Sequence, residues 1–247
     1  LRELLPTLGV APRALLVVSA HWEEAVFTLN TNAAPGLLFD YYGFPPHTYE
    51  LQWPAPGAPE LAVEVAALLD QAGMAVATDN QRGLDHGVFV PLKLVCPQAD
   101  IPVLQLSLQA DMDAAGHIAL GKALAPLREQ GVLIIGSGMS FHNIPLMRSN
   151  LAHSSPAALA FDQWLAEIVV LPEAQRNQAL THWRQAPGAR LAHPDAEHLL
   201  PLHVVAGAAG RDPGVCAFRD VAMGVPLAGY VFVSMRQRLN SGALDEI

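Results

Sequence analysis

Four histidines stand in settings that suit chemistry. His21 ends an apolar run in "VVSAHW". His86 follows Asp85 in "LDHGVFVPL". His142 closes "GSGMSFHN", and His198 follows Glu197 in "EHLLPL". Histidine is the commonest metal ligand and the side chain that titrates near neutral pH. Imidazoles with a carboxylate and open positions suit Fe(II) that activates O₂, or Zn(II). The chain carries 10 histidines against 14 lysines plus arginines, so each must be weighed alone. Taken singly, each has a structural reading: His21 as a satisfied strand-end residue, His86 as a turn residue bonded to Asp85, His142 as a helix cap, His198 as a surface residue beside Glu197. Their shared place at element ends, among Gly, Ser and Asn that let backbone approach closely, favours collection in a common cleft. His47, His117, His153, His182, His193 and His203 lack that setting and read as surface or packing residues.

Other chemistries fit less well. Ser137 or Ser140 follows a strand as a hydrolase serine would, yet "GSGMS" is not the G-x-S-x-G elbow. Gly136-x-Gly138 lacks the third glycine of a dinucleotide loop, because position 141 is Phe. Cys96 and Cys216 form no C-x-x-C knuckle and no disulfide framework.

The elements that must position these residues can be read from apolar runs and caps. Ala14–Val18, 101–108 and 132–136 are buried strands of the kind a parallel sheet uses, and 74–78 is a short one. Pro59 opens a helix to about Gln71. Asp113 caps a helix running to Gln130, and Ser155-Pro156 opens one to about Val170. The chain is helical again after Pro201, and 215–235 reads as two strands. Residues 37–57, rich in aromatics and prolines, form a long loop of functional character. Strands alternating with helices predict an α/β fold: a single domain over residues 1–235, a central mixed or mostly parallel sheet flanked by helices, and a loose tail at 236–247. Ligands in such folds bind beyond the carboxyl ends of the strands, which is where His21 falls.

Composition bounds the partners. Half the chain is apolar and 15% is charged, enough for a full core. A net charge of -9 without a basic stripe argues against nucleic acid. No apolar stretch is long enough to span a membrane. The chain shows no signal peptide and has two cysteines, so a reducing cytoplasmic setting is expected.

The ordered motifs "VVSAHW", "YYGFP…Y…WPAPGAPELA", "DHGVFVPL", "GSG…HN" and "EHLLPL" resemble those of the class III extradiol ring-cleavage dioxygenases, in the DOPA 4,5-dioxygenase-like branch. The likeness runs over residues 10–235. It implies an oxidoreductase that opens a catechol beside its two hydroxyls, incorporating both atoms of O₂ at one non-haem Fe(II) per chain, or Zn(II) as isolated. It implies that His21 and His198 are metal-site residues, with Glu197 as the carboxylate substitute. His142 would border the metal, counting among the metal-site residues and serving as acid/base. His86 would lie near substrate or O₂ as a second catalytic histidine, and Tyr42 and Phe44 would line the catechol pocket. The family also has an H-G-x-P histidine in a preceding strand. These 247 residues contain no H-G-x-P, so either a preceding segment is missing, which is the expectation, or this member has lost that ligand. The expected partners are a small catechol and O₂, and residues 37–57 could also be covered by a second subunit. A zinc hydrolase and a non-catalytic metal-binding relative on the same fold are the alternatives.

Overall fold

The computed structural model describes residues 1–149 and 155–233. His153 and the expected tail at 236–247 lie outside the described residues. The chain divides into two compact units, Leu1–Asp111 with Ala123–Ser137, and Met112–Lys122 with the residues from Gly138 onward.

The first unit holds a five-stranded sheet of order β3-β2-β4-β1-β5. Its strands are β1 (Ala14–Glu24), β2 (Phe27–Asn30), β3 (Val76–Asp79), β4 (Val103–Gln109) and β5 (Val132–Ser137). β1 runs parallel to both β4 and β5, and β2 runs parallel to β3. Only the β2–β4 pairing is antiparallel. The expected α/β class with a mixed, mostly parallel sheet is therefore observed. β2 was not foreseen, because four residues give too short a pattern to separate from a loop.

The apolar run of β1 explains its place. Leu15, Leu16, Val17 and Val18 are fully buried, and each contributes about 2 kcal/mol by leaving water. Strands covered on both faces read as continuous apolar runs of this kind. Helix α1 (Leu4–Leu8) precedes β1. Helix α2 (Pro59–Gln71) starts with proline at its first turn and buries Leu61, Ala62, Val65 and Leu69 on one stripe, against β2, β3 and β4.

Helix α3 (His86–Val95) packs on β1. Pro91 lies inside it and has no N–H for the carbonyl four residues back. That carbonyl, of Gly87, instead accepts from the Ser137 hydroxyl at the end of β5. The helix expected over 113–130 is two, α4 (Ala114–Leu124) and α5 (Pro126–Glu129). Pro126 has no N–H to donate to the carbonyl four residues back, so the hydrogen-bonded run is interrupted there although Ala125 keeps helical dihedrals.

The second unit is mainly helical. It holds most of α4, then α6 (Ile144–Met147), α7 (Pro156–Val169), α8 (Glu173–Thr181), α9 (Ala189–Ala192) and α10 (Leu200–Ala209). An antiparallel hairpin of β6 (Gly214–Ala222) and β7 (Val225–Phe232) packs on α7. Arg176, fully buried in α8, donates to the carbonyls of Ala206, Gly210 and Asp212, closing the end of α10.

Candidate functional site

In the first unit, the site begins where β1 leaves its ladder. Val18 faces Leu106 and Glu23 faces Leu108, so four residues, Ser19–Trp22, stand opposite Ser107 alone. Such bulges redirect side chains next to functional sites. The backbone of His21 is held on both sides. Its N–H donates to the Ser19 hydroxyl at 3.2 Å, and its carbonyl accepts from Arg82 Nη2 at 3.2 Å. The Arg82 guanidinium also lies over the Trp22 ring, 4.5 Å from its centroid.

Asp85 ties these parts together. Its carboxylate is fully buried. It accepts from the Ser19 hydroxyl at 2.8 Å, from the Gln105 side-chain amide, from Arg82 at 3.4 Å and from the backbone N–H of Val88 at 3.2 Å. The last bond caps α3. A buried carboxylate needs this many partners to offset its lost hydration. Gly87 completes the packing, since a Cβ there would lie 2.6 Å from Ser19 Oγ and 2.8 Å from the His21 ring.

The first turn of α3 brings His86 onto His21, with ring centroids 3.9 Å apart. Asp40, from the long loop, holds His86 at Nδ1 over 2.7 Å. Ligand atoms of His21, Asp40 and His86 all lie within 4.8 Å of one another. Tyr41 meets His86 edge-on at 5.6 Å within an aromatic cluster that includes Phe39, Phe44, Tyr49 and Phe89. Tyr42 is 91% exposed and Phe44 56%, so the aromatic ring against His86 is that of the neighbouring Tyr41.

In the second unit, His142 and His198 stack at 3.4 Å with an 18° tilt, and His142 Nδ1 lies 3.3 Å from Glu197 Oε1. Ligand atoms of these three also lie within 4.8 Å of one another. The loop between β5 and α6 is laced to the segment before α10. Met139 N–H donates to the His198 carbonyl at 3.0 Å, His142 N–H to Ala192 at 2.9 Å, and the Asn143 side chain to Leu191 at 2.8 Å. A Cβ on Gly138 would fall 2.2 Å from the His198 carbonyl oxygen, so only glycine permits this approach.

The electrostatics suit a cation. The hydrogen bond from His142 draws the Glu197 carboxyl below its usual range, against the opposing effect of burial. Two imidazoles stacked this closely repel if both are protonated. Burial pushes nearby His193 down to about 4, so it stays neutral while its Nε2 meets the Ser140 carbonyl at 3.1 Å. Two imidazoles beside a carboxylate offer the nitrogen and oxygen donors that Fe(II) and Zn(II) take. The residues present therefore fit a divalent metal.

Of the residues expected from sequence, His21 and His86 meet in one cluster and His142 and His198 in the other, with Glu197 beside them. Sequence reasoning missed Asp40, Tyr41, Ser19, Asp85 and Gln105 as supports. The acid directly before "YYGFP" was the one available signal for Asp40.

The comparisons with known proteins agree with this chemistry. The profile of a family described as the catalytic LigB subunit of aromatic ring-opening dioxygenase matches residues 4–232. The 4,5-DOPA dioxygenase extradiol of Beta vulgaris is 45% identical over 205 residues, covering 81% of this chain and 75% of that protein. The dioxygenase TasH of Hapsidospora irregularis is 41% identical over 230 residues, 89% of this chain and 71% of that protein. A crystal structure of an uncharacterized Escherichia coli K12 protein superposes with a TM-score of 0.77 at 29% identity, covering 93% of this chain and 89% of that one.

Proposed function

The chain belongs to the family of the catalytic LigB subunit of aromatic ring-opening dioxygenase, and on that premise we propose that it opens a catechol on the extradiol side with O₂. The observation that carries this reading is the pairing of each histidine cluster with a carboxylate, Asp40 in one and Glu197 in the other. The family match runs through both compact units, which supports reading residues 1–235 as one catalytic domain. The Beta vulgaris relative is named a 4,5-DOPA dioxygenase, so a catechol carrying a polar side chain is our proposed substrate class.

We assign metal-ligand roles to His21 and His198. Iron is preferred to zinc because zinc has no redox chemistry to offer O₂. Fe(II), when held by such ligands, would supply a Lewis acid and an electron path between the diol and O₂. The remaining work falls to the side chains. His142 accepts a proton from a catechol hydroxyl through Nε2, since its Nδ1 faces Glu197. Glu197 stabilises the imidazolium that results. His86 is the second catalytic histidine, and the loop of Tyr41, Tyr42 and Phe44 packs against the aromatic ring of the substrate. The free thiols of Cys96 and Cys216 accord with a reducing cytoplasm. Among the described residues, no helix is long and apolar enough to cross a membrane.

The test is O₂ uptake. Protein loaded anaerobically with Fe(II) is mixed with air and a panel of catechols that includes DOPA. Uptake tied to one catechol, with a yellow ring-opened product, is expected. Bound metal with no uptake on any catechol would overturn the reading.

A further inference from the structure

A single oxygen, Asp40 Oδ1, takes two hydrogen bonds from one residue. The backbone N–H of His86 donates to it at 2.9 Å, and His86 Nδ1 lies 2.7 Å away. An ionised carboxylate can only accept, so the ring bond requires the proton on Nδ1. In a neutral imidazole the other nitrogen, Nε2, is then bare and acts as an acceptor. An unrestrained neutral histidine favours the opposite tautomer.

Several features hold Asp40 in place. His86 opens α3, so its backbone N–H is one of the donors that a helix start leaves unsatisfied. A carboxylate there also meets the positive end of the helix. The backbone N–H of Asp40 donates to the Leu38 carbonyl at 3.0 Å, and the next residue, Tyr41, anchors its hydroxyl on the Thr48 carbonyl at 2.5 Å. Tyr41 also meets the His86 ring at 89°, fixing its plane from the side.

We propose that Asp40 is a positioning residue for ring cleavage, locking His86 in its Nδ1–H tautomer so that Nε2 is presented as a hydrogen-bond acceptor to a hydroxyl of the substrate. This rests on the catalytic reading of His86. It also gives the aromatic loop a function at the reacting groups, because the residue that sets the tautomer belongs to that loop.

Long-range ¹H–¹⁵N correlation spectra of the imidazoles report the tautomer directly. The zinc-loaded protein is diamagnetic and suits the measurement, and the His86 signals are those lost in His86→Gln. In the unaltered protein His86 should show a protonated Nδ1 and a bare Nε2. In Asp40→Ala the pattern should revert toward the Nε2–H form. With iron, Asp40→Ala should lower kcat by about 10- to 100-fold, part of what acid–base groups contribute, with KM changed less than about threefold. Asp40→Glu should recover part of the loss. An Nε2–H tautomer in the unaltered protein, or an unchanged His86 spectrum in Asp40→Ala, would overturn the proposal even if activity fell. Full turnover in His86→Gln overturns the catalytic reading on which it rests, a failure separable from the tautomer result.

Discussion

His21 is fixed through its backbone, with Ser19 on its N–H and Arg82 on its carbonyl, and Gly87 leaves the space its ring occupies. Gly87→Ala should therefore push the ring away. We expect weaker metal retention on dialysis while the fold persists, and unchanged metal content would show that the ring tolerates the displacement. The two assigned roles separate in the same way. His21→Ala should lose metal, whereas His142→Ala should keep metal and lose turnover by about 10²- to 10⁴-fold. Metal analysis with single-turnover kinetics distinguishes the two, and retained metal in His21→Ala contradicts the ligand assignment. At this scale the placing of the histidines at element ends was legible, because strand ends and helix starts leave local marks. Their partners were not. Asp40 lies 46 residues from His86, and Arg82 lies 61 from His21. No local spacing encodes such pairs.

At the scale of elements, β1 and α3 form a rigid pair around Asp85, which caps the helix and bonds to the strand. Asp85→Ala leaves Arg82 without its anion and removes the cap. It should destabilise the protein by about 3 kcal/mol, read from the denaturant midpoint, and weaken metal binding at His21. A loss under about 1 kcal/mol would mean the network relaxes around the gap. The sequence showed the apolar core of β1, α2 and β5, because periodicity and caps are local. It did not show the bulge at Ser19–Trp22, which depends on register against β4. Nor did it show that Ser137, weighed as a nucleophile, donates to the carbonyl that Pro91 leaves vacant. The single helix expected before Gln130 ignored Pro126, whose missing N–H was readable in advance.

For the molecule as a whole, the buried histidines set an acid limit. His203 is fully buried in α10 between the carbonyls of Leu199 and Leu180, and burial pushes it down to about 4 from the ordinary 6.5. Between those values the unfolded chain binds the proton and the folded chain does not, so stability falls as pH falls. His193 acts in the same direction. The melting temperature of the metal-free protein should thus drop as pH goes from about 6.5 toward 4, and a His203→Gln variant should show a shallower drop. A flat profile would mean that His203 is solvated in solution. The α/β class and the motif order were legible over the whole chain, and the family match over residues 4–232 agrees with both. The central claim is a dioxygenase reaction, and ¹⁸O₂ tests it most directly. The iron-loaded protein, given a catechol it consumes, should place both labelled oxygen atoms in the ring-opened product before exchange with water. A product carrying no label, or formed equally well without O₂, would contradict the account.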